Sequence, residues 1–474
     1  MPPARTVRQK GSITLELIIA FAVASLVLTS VILLLGSNDA LAFEREFTER
    51  SIAEELIDDA RAASTTDFAS FASTASTSIQ DHIPYRASLA AQSITPCVLG
   101  LAAAATSTGR VGDGVGFSAW LADTALAHSL GGDCEYQAAT SSWSGFVAQN
   151  SIPLAAACLD ALNGYEYLGL SASPYFAIVK DGARVAFTNG FALLAMPHSL
   201  DAALINGQPY AFAALASSTA QLGVISVRDP QAPVLEASLR LNGITATGTD
   251  AEAYHVTYFD NSAYLSTRYI IGAQPELHIV DVNEPSHPFE VGSANIDTTI
   301  NGMALRARLV GQITRIYLYA ATTYDTRELA VYDVTNPSGV SLVSSVDLPG
   351  TQDGDSIAIQ GNTLYLGRAS NTAGPELYAF DISSSTATPR LIGSAEISSK
   401  DTTALAPMGS VLFLGATNDG ASNRMLEAWD ISDPAHMSLR GVLKVPGLVL
   451  AGIEYAAGQV FVLDASALHM YVGN

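Results

Sequence analysis

A segment of about twenty residues recurs five times in this chain, and that recurrence limits its fold more than any other feature. The clear copies are LHIVDVNEPSHPFEVGSANI from Leu277, LAVYDVTNPSGVSLVSSVDL from Leu329, LYAFDISSSTATPRLIGSAEI from Leu377 and LEAWDISDPAHMSLRGVLKV from Leu426. A degenerate copy, LGVISVRDPQAPVLEASLRL, starts at Leu222. Ser226, Asp281, Asp333, Asp381 and Asp430 occupy equivalent positions, separated by 55, 52, 48 and 49 residues. About fifteen residues before each lies a further apolar strand: Pro209–Ala213, Ala263–Ser266, Ile316–Ala320, Thr363–Gly367 and Val411–Gly415.

Several short strands in roughly fifty residues is the period of a β-propeller blade, in which four antiparallel strands stack around a central axis. Arg184–Thr188 and Gln459–Leu463 are read as two more inner strands, bringing the total to seven blades over residues 164–474. The chain stops at Leu468–Val472, which reads as a third strand with no fourth. Tyr165–Leu170 reads as an outer strand with no blade before it, so it is expected to complete the last blade and close the ring. Closure removes sheet edges that otherwise invite aggregation.

The strand Leu277-His-Ile-Val-Asp281 and its copies resemble the LVIVD-repeat family of bacterial propellers, over about two-thirds of the chain. That resemblance implies a fold. It says little about activity, because propellers host many unrelated functions.

The other end of the chain is of a different kind. Lys10–Leu35 reads KGSITLELIIAFAVASLVLTSVILLL, with Arg5, Arg8 and Lys10 before the apolar run and Glu16 inside it. A helix over Ser12–Leu35 is roughly 36 Å long, enough to cross a bilayer. The flanking basic residues predict a cytoplasmic N-terminus and an extracytoplasmic remainder. A carboxylate in the apolar phase is costly and calls for a partner. Gly11, Ser12 and Glu16, followed by the apolar helix, resemble the class III signal of type IV prepilins. The resemblance implies cleavage after Gly11 by prepilin peptidase and retention of the helix for assembly with other pilin subunits. It also implies that Glu16 pairs with the freed amine of Ser12 on a neighbour. Ser12 departs from the Phe usual in that family, which bears on methylation and polymerisation.

Between these ends, Leu41–Ala63 continues as an amphipathic helix, with Phe43 and Phe47, and Ile52 and Leu56, each four apart and so on one face. The expected layout is a leader at 1–11, a pilin-like helix at 12–63, and a linker with a small Cys-containing α+β module at 64–163. Ser64–Ser78, rich in Ser, Thr and Ala, reads as linker. The fold class is thus mainly β, a seven-bladed propeller preceded by a long transmembrane α-helix and a small α+β segment.

The net charge of −22 excludes nucleic acid as a partner, since its phosphates would be repelled. Cys97, Cys134 and Cys158 allow one disulfide and one spare thiol outside the cytoplasm, with the pairing open. Asp281, Asp333, Asp381 and Asp430 end strands, and Pro follows four positions later in three copies. That pattern points to carboxylates that accept an N–H two residues on in a turn, rather than to catalysis. Asp353-Gly-Asp355 lacks the later ligands of a calcium loop and reads as an acidic surface loop. The eight His residues show no zinc-site spacing; His278 and His469 are expected on strands, and His255 within reach of the central funnel. Trp120, Trp143 and Trp429 read as core. No catalytic, cofactor or metal site emerges. The expectation is a membrane-anchored surface protein, a minor or tip pilus subunit displaying a propeller for adhesion or for protein or glycan binding. The alternatives are an anchored extracellular hydrolase and a secretion pseudopilin.

Overall fold

The structure, a computed structural model, describes residues 48–57, 74–80, 83–95, 98–107, 115–122 and, but for short interruptions, 142–474. Gly11, Ser12 and Glu16 lie outside the described residues, as do Cys97 and Cys134. Among the described residues no helix is long and apolar enough to cross a membrane. The chain divides into two compact units, residues 1–94 with 98–123, and residues 95–97 with 124–474.

The smaller unit is a helix packed on a sheet. The strands Thr74–Gln80, Ile83–Thr95, Val98–Ser107 and Val115–Ala122 lie side by side in chain order. Their period-two pattern sends Tyr85, Ala87, Leu89, Leu101, Ala103 and Ala105 inward and leaves Arg86 and Ser88 exposed. Ile52, Ala53 and Ile57 of the helix at 48–57 pack on that inner face, with Leu56 beside them. Arg50 and Glu54 form an i,i+4 ion pair at 2.9 Å on its solvent side. A ten-residue helix is marginal alone. Burying the two isoleucines contributes about 1.5–3 kcal/mol each, which is what holds this one. The expected amphipathic helix is therefore found over 48–57. The linker reading of Ser64–Ser78 fails at its C-terminal end, where Thr74 already begins a strand.

The larger unit contains seven four-stranded antiparallel sheets. Numbered by position in the chain, the innermost strands of blades 1 to 7 are Ala156–Leu162, Pro197–Ile205, Ala253–Phe259, Ile300–Val310, Gly354–Gln360, Asp401–Met408 and Ile453–Ala456. Each packs against the innermost strand of the next blade, and the seventh against the first. Seven hydrophobic clusters sit one at each seam between neighbouring blades. This arrangement explains the repeat. The third strand of each blade is covered on both faces, so Leu277–Val280, Leu329–Tyr332 and Leu377–Phe380 are buried throughout and read as continuous apolar runs. Fourth strands such as Phe289–Ala294 face solvent and read as mixed.

Two expectations are corrected. Tyr165–Leu170 does not close the ring: it is the second strand of blade 1, buried from Glu166 onward. Phe146–Pro153 closes it instead, pairing antiparallel with the C-terminal strand through Tyr471 with Ala148, His469 with Ser151 and Ala467 with Pro153. The propeller thus begins before residue 164, and Trp143 and Cys158 belong to it. Trp143 is fully buried at the seam of blades 6 and 7, edge-on to Phe413 at 4.6 Å. The physical reason is exposure: an outer strand such as Phe146–Pro153 is largely solvated and carries little apolar pattern to be read. Arg184–Thr188 is likewise no inner strand; Ala183–Arg184 is the short fourth strand of blade 1. The strands counted as inner are second from the axis.

The recurrent aspartates hold turns, as their spacing implies. Asp281, Asp333, Asp381 and Asp430 each accept the N–H two residues on, at 2.9, 3.0, 2.8 and 2.9 Å. In three of them the second oxygen meets an arginine: Arg315 on Asp333, Arg390 on Asp381 at 2.8 Å and Arg440 on Asp430 at 2.9 Å. These partners hold the Asp381 carboxyl near 2, the hydroxyl and N–H of Ser383 and the guanidinium of Arg390 acting against slight burial.

Candidate functional site

The chemistry-bearing part of the propeller is the start of its innermost strands. In blades 1 to 6 the register against the second strand slips there by one residue. The extra residues are Ala157, His198, Tyr254, Asn301, Asp355 and Thr403. A bulge leaves one residue out of the ladder and re-aims its side chain. Repeated around a ring of innermost strands, it builds a collar at one end of the axis, and five of these six side chains are polar.

Neighbouring collar residues touch across the blades. His198 Nε2 lies 2.9 Å from Glu252 Oε2, and its ring stacks on Tyr254 at 4.8 Å, within 8° of parallel. Asn301 donates to the Gly354 carbonyl at 2.9 Å. His255 lies beside this pair, and burial, then the neighbouring His198, push its pKa down to about 4. It is half-buried. Asp355 sits beside Asp353 and Asp401. Burial, then Asp401, then Asp353, raise it to about 7, against the pull of Arg368. The Oγ atoms of Ser356 and Thr403 are buried without a hydrogen-bond partner among the described residues. The collar thus brings together an imidazole whose pKa is pushed down and a carboxyl raised to about 7, groups that can hydrogen-bond a polar ligand. Asp353-Gly-Asp355 is accordingly no exposed acidic loop; Gly354 opens an inner strand because Glu328 O would lie 2.5 Å from any Cβ there.

Beneath the collar a second repeat emerges. In four of the five copies the residue before the signature Leu is polar, Gln221, Glu276, Glu328 or Glu376, and all four are fully buried; the fifth has Met425. Each side chain accepts the N–H that follows its blade's fourth strand: Leu241 at 3.0 Å, Ile296 at 2.8 Å, Leu348 at 3.0 Å and Ile397 at 3.1 Å. Burial raises the pKa of Glu276 and Glu328. Arg368, also fully buried, lies 3.7 Å from Glu328 and donates to the carbonyls of Pro349 and Gln352, both at 3.0 Å. This column was visible in the aligned copies one residue ahead of Leu277. The collar was not, because its six residue types share no pattern.

The remaining sequence candidates fall elsewhere. Cys158 is a free, buried thiol at the seam of blades 1 and 2, 3.7 Å from the Pro197 carbonyl; burial pushes it up to about 12. His278 is wholly buried, between Glu290 at 2.9 Å and the Pro275 carbonyl at 3.1 Å. His469 meets Asp464 at 2.8 Å. Trp429 is core, donating to Glu427 at 2.9 Å. Among the described residues no group of three or more His, Cys, Asp or Glu converges to hold a metal.

Residues 268–296 and 317–348, parts of blades 3 and 4, match the LVIVD repeat. No curated protein matches the chain. Among solved structures it is similar to a putative 6-phosphogluconolactonase from Bacteroides uniformis, at 12% identity and TM-score 0.44, over 66% of this chain and 89% of that one. It is also similar to the periplasmic gluconolactonase PpgL of Pseudomonas aeruginosa, at 8% identity and TM-score 0.46, over 67% and 88%. YCF48 bound to D1 peptide is similar at 11% identity and TM-score 0.44, over 69% and 95%.

Proposed function

We propose that this chain is a pilin-like surface protein, a minor or tip subunit that presents a seven-bladed LVIVD-repeat propeller for adhesion or for protein or glycan binding. The observation that carries the reading is the small unit. Downstream of Gly11, Ser12, Glu16 and the apolar run, an amphipathic helix lays Ile52, Ala53 and Ile57 on a four-stranded sheet. A helix downstream of an apolar stretch, packed on a small sheet, supports a pilin-like layout. In this reading the helix assembles with other pilin subunits and holds the protein at the membrane. Prepilin peptidase cuts after Gly11, Glu16 pairs with a neighbour's Ser12 amine, and the propeller binds without covalent chemistry. The test is the N-terminal residue of membrane-extracted protein, by mass spectrometry, with and without prepilin peptidase. A chain beginning at Ser12 only with the peptidase supports the proposal. A chain that still begins near Met1 overturns it.

A second reading, an anchored extracellular hydrolase, rests on the collar. Burial, Asp401 and Asp353 raise the Asp355 carboxyl to about 7, the range a general acid or base needs. Turnover of a sugar ester or lactone that is lost in Asp355→Asn would favour it over pure binding.

A further inference from the structure

The inner strand of blade 4 carries two arginines with buried nitrogens that find no acceptor among the described residues. Arg306 and Arg308 are two residues apart on Ile300–Val310 and so share a face, with Tyr319 across from Ala304 and Tyr317 across from Arg306 on the next strand. That face turns toward blade 5, whose Ile357, Ile359, Leu364 and Leu366 pack against it. Arg306 is 7% exposed. Its Nη1, Nε and Nη2 of Arg308, and the hydroxyl of Tyr319 are buried without a hydrogen-bond partner among the described residues. Arg308 is held in place by its remaining nitrogen, Nη1, on the Ser384 carbonyl of blade 5 at 3.0 Å. The carboxylate on this face, Asp333, is held by Arg315. The side chains acting electrostatically on Arg306 are Arg308 and Tyr319; burial and then the like charge of Arg308 pull its pKa down to about 10.

A buried guanidinium without a counter-charge costs several kcal/mol, and buried donors are nearly always satisfied. Three unfilled guanidinium nitrogens on two cationic side chains, with the Tyr319 hydroxyl acting on both, describe a cradle for negative charge. We propose that a small oxyanion, a carboxylate or phosphate-type group, binds between blades 4 and 5 on Arg306, Arg308 and Tyr319. Two of its three partners are guanidiniums, which only donate and carry positive charge, so a cation does not fit. The net charge of −22 repels extended polyanions and leaves a compact anion as the class that reaches it. The site is distinct from the collar and stands whether or not the pilin reading holds.

The test is thermal unfolding of the full chain in detergent and Tris buffer, at constant ionic strength, titrated separately with sodium phosphate, sulfate and acetate. A saturable rise in Tm with at least one anion is expected, and it is absent in Arg306→Met. A response to phosphate and sulfate assigns a tetrahedral oxyanion, and one to acetate alone assigns a carboxylate. Tyr319→Phe keeps the fold's shape and removes one donor. It should weaken the half-saturating concentration at least about tenfold, which keeps the test decisive if Arg306→Met does not fold. The proposal is overturned if no anion raises Tm, or if the rise in either variant equals that of the unaltered protein.

Discussion

Blade-to-blade spacing makes a quantitative prediction at Gly292. This residue lies in the fourth strand of blade 3, opposite Ile279, where the turn Pro337–Gly339 of blade 4 docks. A Cβ at 292 would stand 1.9 Å from the Pro337 carbonyl oxygen and 2.3 Å from its carbon. That is about 1.5 Å short of van der Waals contact, and the obstacle is backbone. A Cβ at Gly393 of blade 5 would likewise stand 1.9 Å from the Pro434 carbonyl oxygen, so the close approach recurs two seams on. Gly292→Ala must therefore part blade 3 from blade 4 or displace the turn. Overpacking of this kind costs about 3 kcal/mol. For a unit of roughly 330 residues that lowers Tm by about 4 °C. The control is Gly223→Ala in blade 2, where a Cβ meets only side-chain ends at 3.4 Å or more. Its Tm should move by less than about 1 °C, since ordinary contact carries little strain. Calorimetry on the three proteins decides the matter. Equal Tm values for Gly292→Ala and Gly223→Ala would refute the docking argument.

Three further outcomes are expected. The carboxyl of Asp355 is raised from 3.8 to about 7, so its folded form holds a proton that the unfolded form has lost between those values. Stability therefore falls as pH rises from about 4 to 7, and Asp355→Asn should flatten that slope and raise Tm at pH 8, by an amount bounded at about 4 kcal/mol; an unchanged pH profile rejects the assignment. Cys158, buried and with a thiol near 12, should resist maleimide at pH 7.5 in the native protein and label only in denaturant, as read by mass spectrometry; native labelling at a rate typical of free thiols contradicts its burial. A chain starting at residue 142 should give a cooperative melt, whereas one starting at residue 164 lacks both the closing strand and the first strand of blade 1 and should aggregate; soluble, cooperative folding of the shorter chain rules out closure by Phe146–Pro153.

The repeat alone determined the propeller and the turn role of Asp281, Asp333, Asp381 and Asp430; the number seven was reached partly through Arg184–Thr188, which is not an inner strand. Those features are local: a third strand covered on both faces must be apolar throughout, and a turn needs its acceptor two residues from its donor. An acid also precedes the signature leucine in three of the five copies, at Glu276, Glu328 and Glu376, a signal that lies one residue ahead of the repeat as read from its leucine. Pairing was not local. Phe146–Pro153 and the C-terminal strand meet across more than three hundred residues, and an exposed outer strand carries no apolar pattern to announce it. A nearer signal existed at Asn163-Gly164, whose positive φ values of 55° and 73° form the hairpin that makes Tyr165–Leu170 a second strand. The collar and the paired arginines of blade 4 belong to tertiary structure alone. Each takes its meaning from what stands beside it: His198 from Tyr254 in the next blade, Asp355 from Asp401, and Arg306 from the absence of any acid in the wall that covers it, among the described residues. A side chain's charge is written in the sequence, but its desolvation is set by neighbours that only closure of the ring brings together.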